Sequence, residues 1–290
     1  MIELSIIILS YNTKELTVSC IEAILNEYKK ELEEKNFEII VVDNNSSDNS
    51  VSAIGKIPGV VNLKIILNKE NLGFARGANI GAKTAKGSYL LFLNSDTEIL
   101  DRNFLEMVKF LEHDEKAAIL GGKLENSDGS AQASAGKFYT LFNLVIMLLG
   151  LERFGFLRSS PNKIKKVDWV SGACMMVRQD LFSKLSGFDE KLFMYMEDME
   201  LCFRAKKLGF LTYFYPDIKL RHKTLGSSNR TFAIINIYKG ILHFYSKHKS
   251  SFEYSIAKTL LLTKSAILIL IGILTLNSAL RDRYVKAIRF

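Results

Sequence analysis

Leu91-Phe92-Leu93-Asn94-Ser95-Asp96 is an apolar run that stops abruptly in a polar triplet whose last member is a carboxylate. In an α/β sheet, ligands collect just beyond the carboxyl ends of the parallel strands. A carboxylate placed there, outside the core, is positioned to hold a hard divalent cation against phosphate oxygens. Ile39-Ile40-Val41-Val42 ends in the same manner, in Asp43-Asn44-Asn45-Ser46-Ser47-Asp48. Two such endings point to a nucleotide diphosphate site.

Around these two stretches, strand and helix alternate through the first hundred residues. Residues 4–9 are a continuous apolar run, the pattern of a strand buried on both faces. Asn12 followed by Glu15 resembles a helix-capping box. Val18, Ile21, Leu25, Tyr28 and Leu32 then recur at helical spacing. Residues 37–42, 63–67 and 89–93 read as further strands. Residues 73–86 are alanine-rich, with Ala75, Ala78, Ala82 and Ala85 giving a slim packing face that Gly87 closes. This rhythm predicts a doubly wound α/β sheet. After a helical stretch at 105–111 the rhythm changes. Residues 117–122 and 167–177 read as strands, Asp128-Gly129 as a tight turn, and 197–208 as a helix closed by Gly209. Residues 211–215 and 218–222 read as short extended pieces.

The 290 residues suffice for one large domain, or for one domain with an extension. An apolar fraction of 48% with only three prolines excludes a disordered chain. The formal charge of +8 is uneven: residues 239–290 hold nine Lys and Arg against two acids, Glu253 and Asp282. A basic, apolar tail suits an anionic membrane surface, with a solubilising charged face as the alternative. Net charge without a recognition motif gives no support to nucleic-acid binding. Cys20, Cys174 and Cys202 are odd in number and widely spaced, so neither a disulfide framework nor a zinc site is indicated. The start lacks a basic n-region and reads as a first core strand, which points to the reducing cytoplasm. Residues 265–280 carry no charge, but a clean membrane crossing needs ~20 apolar residues. A helix lying in the interface, or docked on a partner, fits that length better.

One set of short motifs runs in order from about residue 4 to 225. It comprises Ser10-Tyr11-Asn12, Val42-Asp43-Asn44, residues 71–79 (NLGFARGAN), Asn94-Ser95-Asp96 and Trp169-Val170-Ser171-Gly172-Ala173. Gly187-Phe188-Asp189-Glu190, Glu197-Asp198 and His222 complete it. In this the sequence resembles family 2 glycosyltransferases, in their bacterial rhamnosyltransferase-like branch. The resemblance implies a doubly wound mixed sheet of the nucleotide-diphospho-sugar transferase (glycosyltransferase A) fold with a C-terminal helical extension. It implies a catalytic domain at 1–230, with a nucleotide-binding half at 1–100 and an acceptor half at 101–230. Residues 231–290 then form a basic, apolar extension that associates with the inner face of the cytoplasmic membrane.

The resemblance also assigns roles. Asp96 and His222 hold Mg²⁺ or Mn²⁺ against the diphosphate, where the ion stabilises the departing charge. The common motif there is Asp-x-Asp, and Asn94 stands at its first position; it can hydrogen-bond a ribose or a metal-bound water. Asp43, an acceptor-only carboxylate, matches the imide N–H of uracil or thymine. Ser10, Tyr11, Asn12, Arg76 and Ser95 complete the nucleotide-sugar site. Asp198 is the general base for the acceptor hydroxyl, with Glu197, Trp169 and Gly172 on the acceptor side. Ordinary structural readings stand beside these: a helix N-terminal acid cluster for 197–198, and a core aromatic for Tyr11 and Trp169. Residues 138–156 form a lid or touch a lipid-linked acceptor. The implied reaction is inverting transfer from a dTDP- or UDP-sugar to a saccharide or lipid-linked acceptor in cell-envelope synthesis. A sugar-1-phosphate nucleotidyltransferase is the rival, although Ser10-Tyr11-Asn12-Thr13 lacks the glycine-rich loop that cradles a triphosphate. A silent saccharide- or membrane-binding module is the second rival.

Overall fold

A computed structural model describes residues 2–223 and 230–289. Its elements run β1 (Leu4–Ser10), α1 (Lys14–Glu27), α2 (Lys29–Glu33), β2 (Phe37–Asp43), α3 (Ser50–Ile54), β3 (Leu63–Leu67), α4 (Gly73–Thr84) and β4 (Tyr89–Asn94). There follow β5 (Thr97–Ile99), α5 (Phe104–His113), β6 (Ala117–Glu125), β7 (Ala131–Gln132), β8 (Ala135–Gly136), α6 (Leu141–Leu148), β9 (Arg158–Ser159), β10 (Lys165–Val167), β11 (Trp169–Val170) and β12 (Cys174–Arg178). The chain ends with α7 (Gln179–Lys184), α8 (Glu197–Lys207), β13 (Leu211–His222), α9 (Arg230–His248), α10 (Ser251–Leu274) and α11 (Ser278–Ala287).

The main sheet has the order β10-β13-β6-β12-β4-β1-β2-β3, with β5 added to β13 and β7 to β6. β3, β2, β1 and β4 are mutually parallel, while β12 runs antiparallel between β4 and β6. The sheet is therefore mixed. In β1, Ile6 and Ile8 point into one core layer and Ile7 into the other, which is why residues 4–9 read as uninterrupted apolar sequence. α1 and α5 cover the first layer; α4, α8, α9 and α10 cover the second. Each fully buried Ile or Leu contributes about 1.5–3 kcal/mol to this core. α4 lies close on the sheet because its face is alanine and glycine: a Cβ on Gly77 would stand 2.4 Å from Leu9 Cδ1.

Several local expectations are corrected. Asn12 and Glu15 form no capping box. The N-cap of α1 is Thr13, without a side-chain cap bond, and the Lys14 N–H instead donates to Asp48 Oδ2 at 2.8 Å. α4 stops at Thr84, where Ala85 turns extended, ahead of Gly87. Residues 167–177 are not one strand: β10 pairs with β13, β11 joins a separate sheet of order β11-β8-β9, and β12 returns to the main sheet. The switches fall at Asp168 and at Ser171-Gly172, polar or small residues too few to read as turns in the sequence. Conversely, 211–215 and 218–222 are one strand, β13, whose register against β6 shifts between Tyr215 and Lys219 around Pro216. The uncharged run 265–280 is divided between α10 and α11. α10 starts well upstream, on a capping box of Ser250 and Glu253.

Candidate active site

The carboxyl edge of the parallel strands carries the polar endings seen in the sequence. Register places Ser10 beside Asp43 and Leu9 beside Asn94. Beyond that edge lies a cleft of about 720 Å³. Tyr11, Asn94, Ser95, Asp96, Trp169, Gly172, Glu197, Asp198 and His222 all line it, although their sequence positions span more than two hundred residues.

Antiparallel pairing of β5 with β13 sets His222 opposite Thr97, next to Asp96. His222 Nε2 then lies 3.2 Å from Asp96 Oδ1 and 3.3 Å from Asn94 Nδ2. Its other nitrogen, Nδ1, is 2.9 Å from Gln132 Oε1. The Gln132 amide nitrogen donates at 2.8 Å to both Asn126 Oδ1 and the His222 carbonyl, which fixes its oxygen toward the ring. An amide oxygen only accepts, so Nδ1 carries a proton, and Nε2, on the Asp96 side, is the nitrogen that can ligate a cation in the neutral ring. One carboxylate and one neutral imidazole nitrogen fit Mn²⁺ well and Mg²⁺ adequately. No cluster of three His, Cys, Asp or Glu side chains is arranged for a metal among the described residues. An ion here would complete its shell with phosphate oxygens and water, as Mg²⁺ in nucleotide sites does.

Glu197 and Asp198 open α8 behind two consecutive left-handed residues, Tyr195 (φ 69°) and Met196 (φ 73°). Side chains at such φ are strained, and the bend turns the first residues of α8 into the cleft. Asp198 Oδ2 accepts from the Gly172 N–H at 3.2 Å, and Oδ1 from the Met199 N–H at 2.7 Å. Burial raises the Asp198 carboxyl above its ordinary range; these two amides and the Arg158 guanidinium oppose the rise. Glu197 is 6% exposed, and its Oε2 has no hydrogen-bond partner among the described residues. Burial, then the charge of Asp198, push its carboxyl well upward. Burial thus favours the neutral form at both, and more strongly at Glu197, because the two amides and Arg158 oppose the rise at Asp198.

Four expected site residues do not line the cleft. Ser10 is buried and bonds Thr17 at 3.0 Å. Asn12 (φ 52°) ties two loops together, its Oδ1 accepting from the Ser47 N–H at 2.8 Å. Arg76 pairs with Glu190 at 3.7 Å. Asp43 is 3% exposed; its Oδ2 accepts from the Ser46 N–H at 2.9 Å, and its buried Oδ1 has no partner among the described residues. Its neighbour Asn44 does reach the cleft and donates to the Gly73 carbonyl at 3.0 Å. Trp169 is 6% exposed, donates from Nε1 to the Lys137 carbonyl at 3.1 Å, and has Arg158 over its ring. Gln132 and Arg158 were missed in the sequence: each sits on a two-residue strand, without motif or periodicity. The polar stretch 224–229 after His222 lies outside the described residues.

Residues 5–186 match the family model described as Glycosyl transferase family 2. An N-acetylglucosaminyl-diphospho-decaprenol L-rhamnosyltransferase of Mycobacterium tuberculosis is 25% identical over 242 residues, 76% of this chain and 75% of its own length. A dTDP-rhamnosyl transferase, RfbF, of Shigella flexneri is 27% identical over 216 residues, 73% of this chain and 68% of its own. Among solved structures, a mannosyltransferase from Pyrobaculum calidifontis in complex with GDP-Man and Mn²⁺ superposes with a TM-score of 0.60. It is 16% identical and covers 98% of this chain and 84% of its own. Residues 1–349 of Staphylococcus aureus TarS give 0.55 at 17% identity, over 99% of this chain and 90% of their own. The mixed sheet, its polar carboxyl edge and the family match agree: the chain belongs to glycosyl transferase family 2 and has the glycosyltransferase A fold.

Proposed function

We propose that the chain is a metal-dependent inverting glycosyltransferase. It moves a sugar, rhamnose in the first instance, from a dTDP- or UDP-sugar to a saccharide on a lipid carrier in cell-envelope synthesis. The observation that carries this reading is the convergence of two unlike acidic groups on one cleft. Asp96 lies 3.2 Å from His222 Nε2, whose other nitrogen Gln132 holds, and Asp198, aimed by the Gly172 N–H, lines the same cleft beside the buried Glu197. The names of the tuberculosis and Shigella relatives support rhamnose, and the former also supports a carrier diphosphate.

Asp198 takes the proton of the acceptor hydroxyl as its oxygen attacks the anomeric carbon. The bond from that carbon to the diphosphate oxygen breaks on the opposite face, and the nucleoside diphosphate leaves with the electron pair. A single displacement inverts the centre and needs no covalent intermediate. Asp96 and His222 would hold Mg²⁺ or Mn²⁺, whose chemistry is to neutralise the charge of the leaving diphosphate. The Gly172 N–H fixes the direction of the Asp198 carboxylate, and the unpartnered Asp43 Oδ1 suits the imide N–H of a pyrimidine base.

We assign catalysis to residues 1–230, and to 231–290 a membrane-associating extension whose helix α9 also supplies Phe232, Ala233 and Ile237 to the cleft wall. The protein then works in the cytoplasm on the inner face of the membrane. The test is a panel of sugar nucleotides with Mn²⁺, read as thermal stabilisation, followed by transfer to a carrier-linked saccharide. A pyrimidine diphospho-sugar that raises Tm only when the metal is present is the expected result; stabilisation by none of the panel ends this reading.

A further inference from the structure

Among the described residues that line the cleft, one lysine or arginine is found: Arg158. It begins β9, the edge strand of the small sheet. Its guanidinium carbon lies 5.4 Å from the centroid of the Trp169 ring, and Nη2 donates to the Ala133 carbonyl at 3.1 Å. Arg76 and Arg204 are each paired with a glutamate. Arg158 pairs with no carboxylate among the described residues, and its side chain is exposed. A guanidinium has five donors in a rigid fork. With one donor engaged and the guanidinium within cation–π range of the indole, the remaining donors stand at the cleft wall with no carboxylate bonded to them among the described residues.

What lies on either side of this cation identifies its ligand. On one side is Asp198, whose ionised form the Arg158 charge favours. On the other the chain leads back through Phe156, 62% exposed, to Leu151 and Leu149 in the turn that follows α6, 37% and 67% exposed. Two residues of chain separate Cα atoms by at most about 7 Å, so charge and exposed apolar surface are neighbours. The order base, cation, apolar surface matches a saccharide joined through a diphosphate to an isoprenoid chain. The donor's own diphosphate is already served by Asp96 and His222.

Resting on the transferase reading above, we infer that Arg158 binds the carrier diphosphate of an isoprenoid-linked acceptor and makes the enzyme selective for acceptors that carry that charge. The guanidinium fork takes two phosphate oxygens, as bidentate arginine does elsewhere. Phe156 and the end of α6 meet the first isoprene units.

Trp169 is the only tryptophan in the chain, so its fluorescence reports directly on the group above it. The full-length protein is first saturated with dTDP and Mn²⁺ to fill the donor site, then titrated with farnesyl diphosphate or with farnesol. Calorimetry checks the same affinities. Farnesyl diphosphate is expected to bind, and farnesol at least tenfold more weakly. Arg158→Gln should weaken farnesyl diphosphate about tenfold or more, Arg158→Lys by an intermediate factor, and dTDP–Mn²⁺ affinity should stay within about twofold. Unchanged farnesyl diphosphate binding in Arg158→Gln overturns the assignment, as does equal binding of farnesol or no binding to the native chain. A tenfold loss of dTDP affinity instead would give Arg158 to the donor. None of these outcomes touches the sugar-nucleotide panel, which reads the donor site alone, so the two readings fail separately.

Discussion

Gln132 determines which nitrogen of His222 faces Asp96, and a metal-binding imidazole depends on such a partner. Replacing it by Leu keeps the volume but removes the acceptor, so the ring is free to take the wrong tautomer. Gln132→Leu is expected to weaken Mn²⁺-dependent dTDP binding by about 10- to 100-fold and to leave metal-free binding unchanged, as calorimetry with and without Mn²⁺ will read. The acid pair makes a different prediction. Because burial raises Asp198, its charged form is lost at a higher pH than for an ordinary aspartate. Transfer should therefore fall as pH drops, with an acid limb above the usual range near 3.8. Asp198→Asn should abolish turnover with nucleotide affinity within about twofold, whereas Glu197→Gln, which preserves a neutral side chain, should retain most of it. Turnover surviving in Asp198→Asn would remove that residue as the base. Asp96, Asp198 and His222 were legible because each sits in a short ordered motif. The tautomer of His222 was not, since the deciding amide is ninety residues away in sequence and meets the ring only through the pairing of β7 with β6.

At the scale of elements, α8 keeps its place through charges that the cleft does not use. Glu200, fully buried, accepts from Arg204 within its own helix and from Lys247 and His248 of α9. Lys247 also reaches Asp189, which takes His243 as well, each at 2.7 Å. α9 thereby pins the helix whose first turn presents Asp198. Burial pushes the Glu200 carboxyl up, but the bonds from His248, Arg204 and Lys247 outweigh it and bring it to about 2. A carboxyl depressed from 4.5 to about 2 stabilises the fold above 4.5 and loses that contribution as pH falls through the interval. Glu200→Gln leaves buried cations without their partner and should cost about 3–5 kcal/mol at neutral pH, read by urea unfolding. It should also flatten the fall in stability between those two values; a variant as acid-sensitive as the parent would contradict this account. The sequence placed α8 within one residue, because its apolar spacing and terminal glycine are local signals. It did not disclose the division of 167–177, where β10, β11 and β12 belong to different pairings that depend on partner strands distant in sequence.

For the whole molecule, the uneven distribution of apolar surface matters most. α10 is 24 residues long and, among the described residues, is the one helix long and apolar enough to cross a membrane by length and composition. It packs on α6, α9 and α11, yet Ile267, Leu270, Ile271 and Leu274 stay 41–74% exposed along one stripe at helical spacing. Phe142 of α6 and Leu149 just after it, 73% and 67% exposed, add apolar surface on a helix that α10 packs against. The sequence disclosed the basic, apolar character of this end. It did not disclose the exposed stripe, since the face of α10 left open is decided by the packing of α6, α9 and α11 on it. The nine Lys and Arg of residues 239–290 give the surroundings a positive sign, so contact with an anionic bilayer should combine burial with charge. The protein is expected to float with phosphatidylglycerol vesicles at low salt and to be partly released at 0.5 M salt, where exposed charges are screened. Leu270→Glu with Leu274→Glu changes two exposed positions, so folding should shift by only about 0.5 kcal/mol per site, while the vesicle-bound fraction falls at least fivefold. A double variant that floats like the parent, with its Tm unchanged, would show that some other surface meets the lipid.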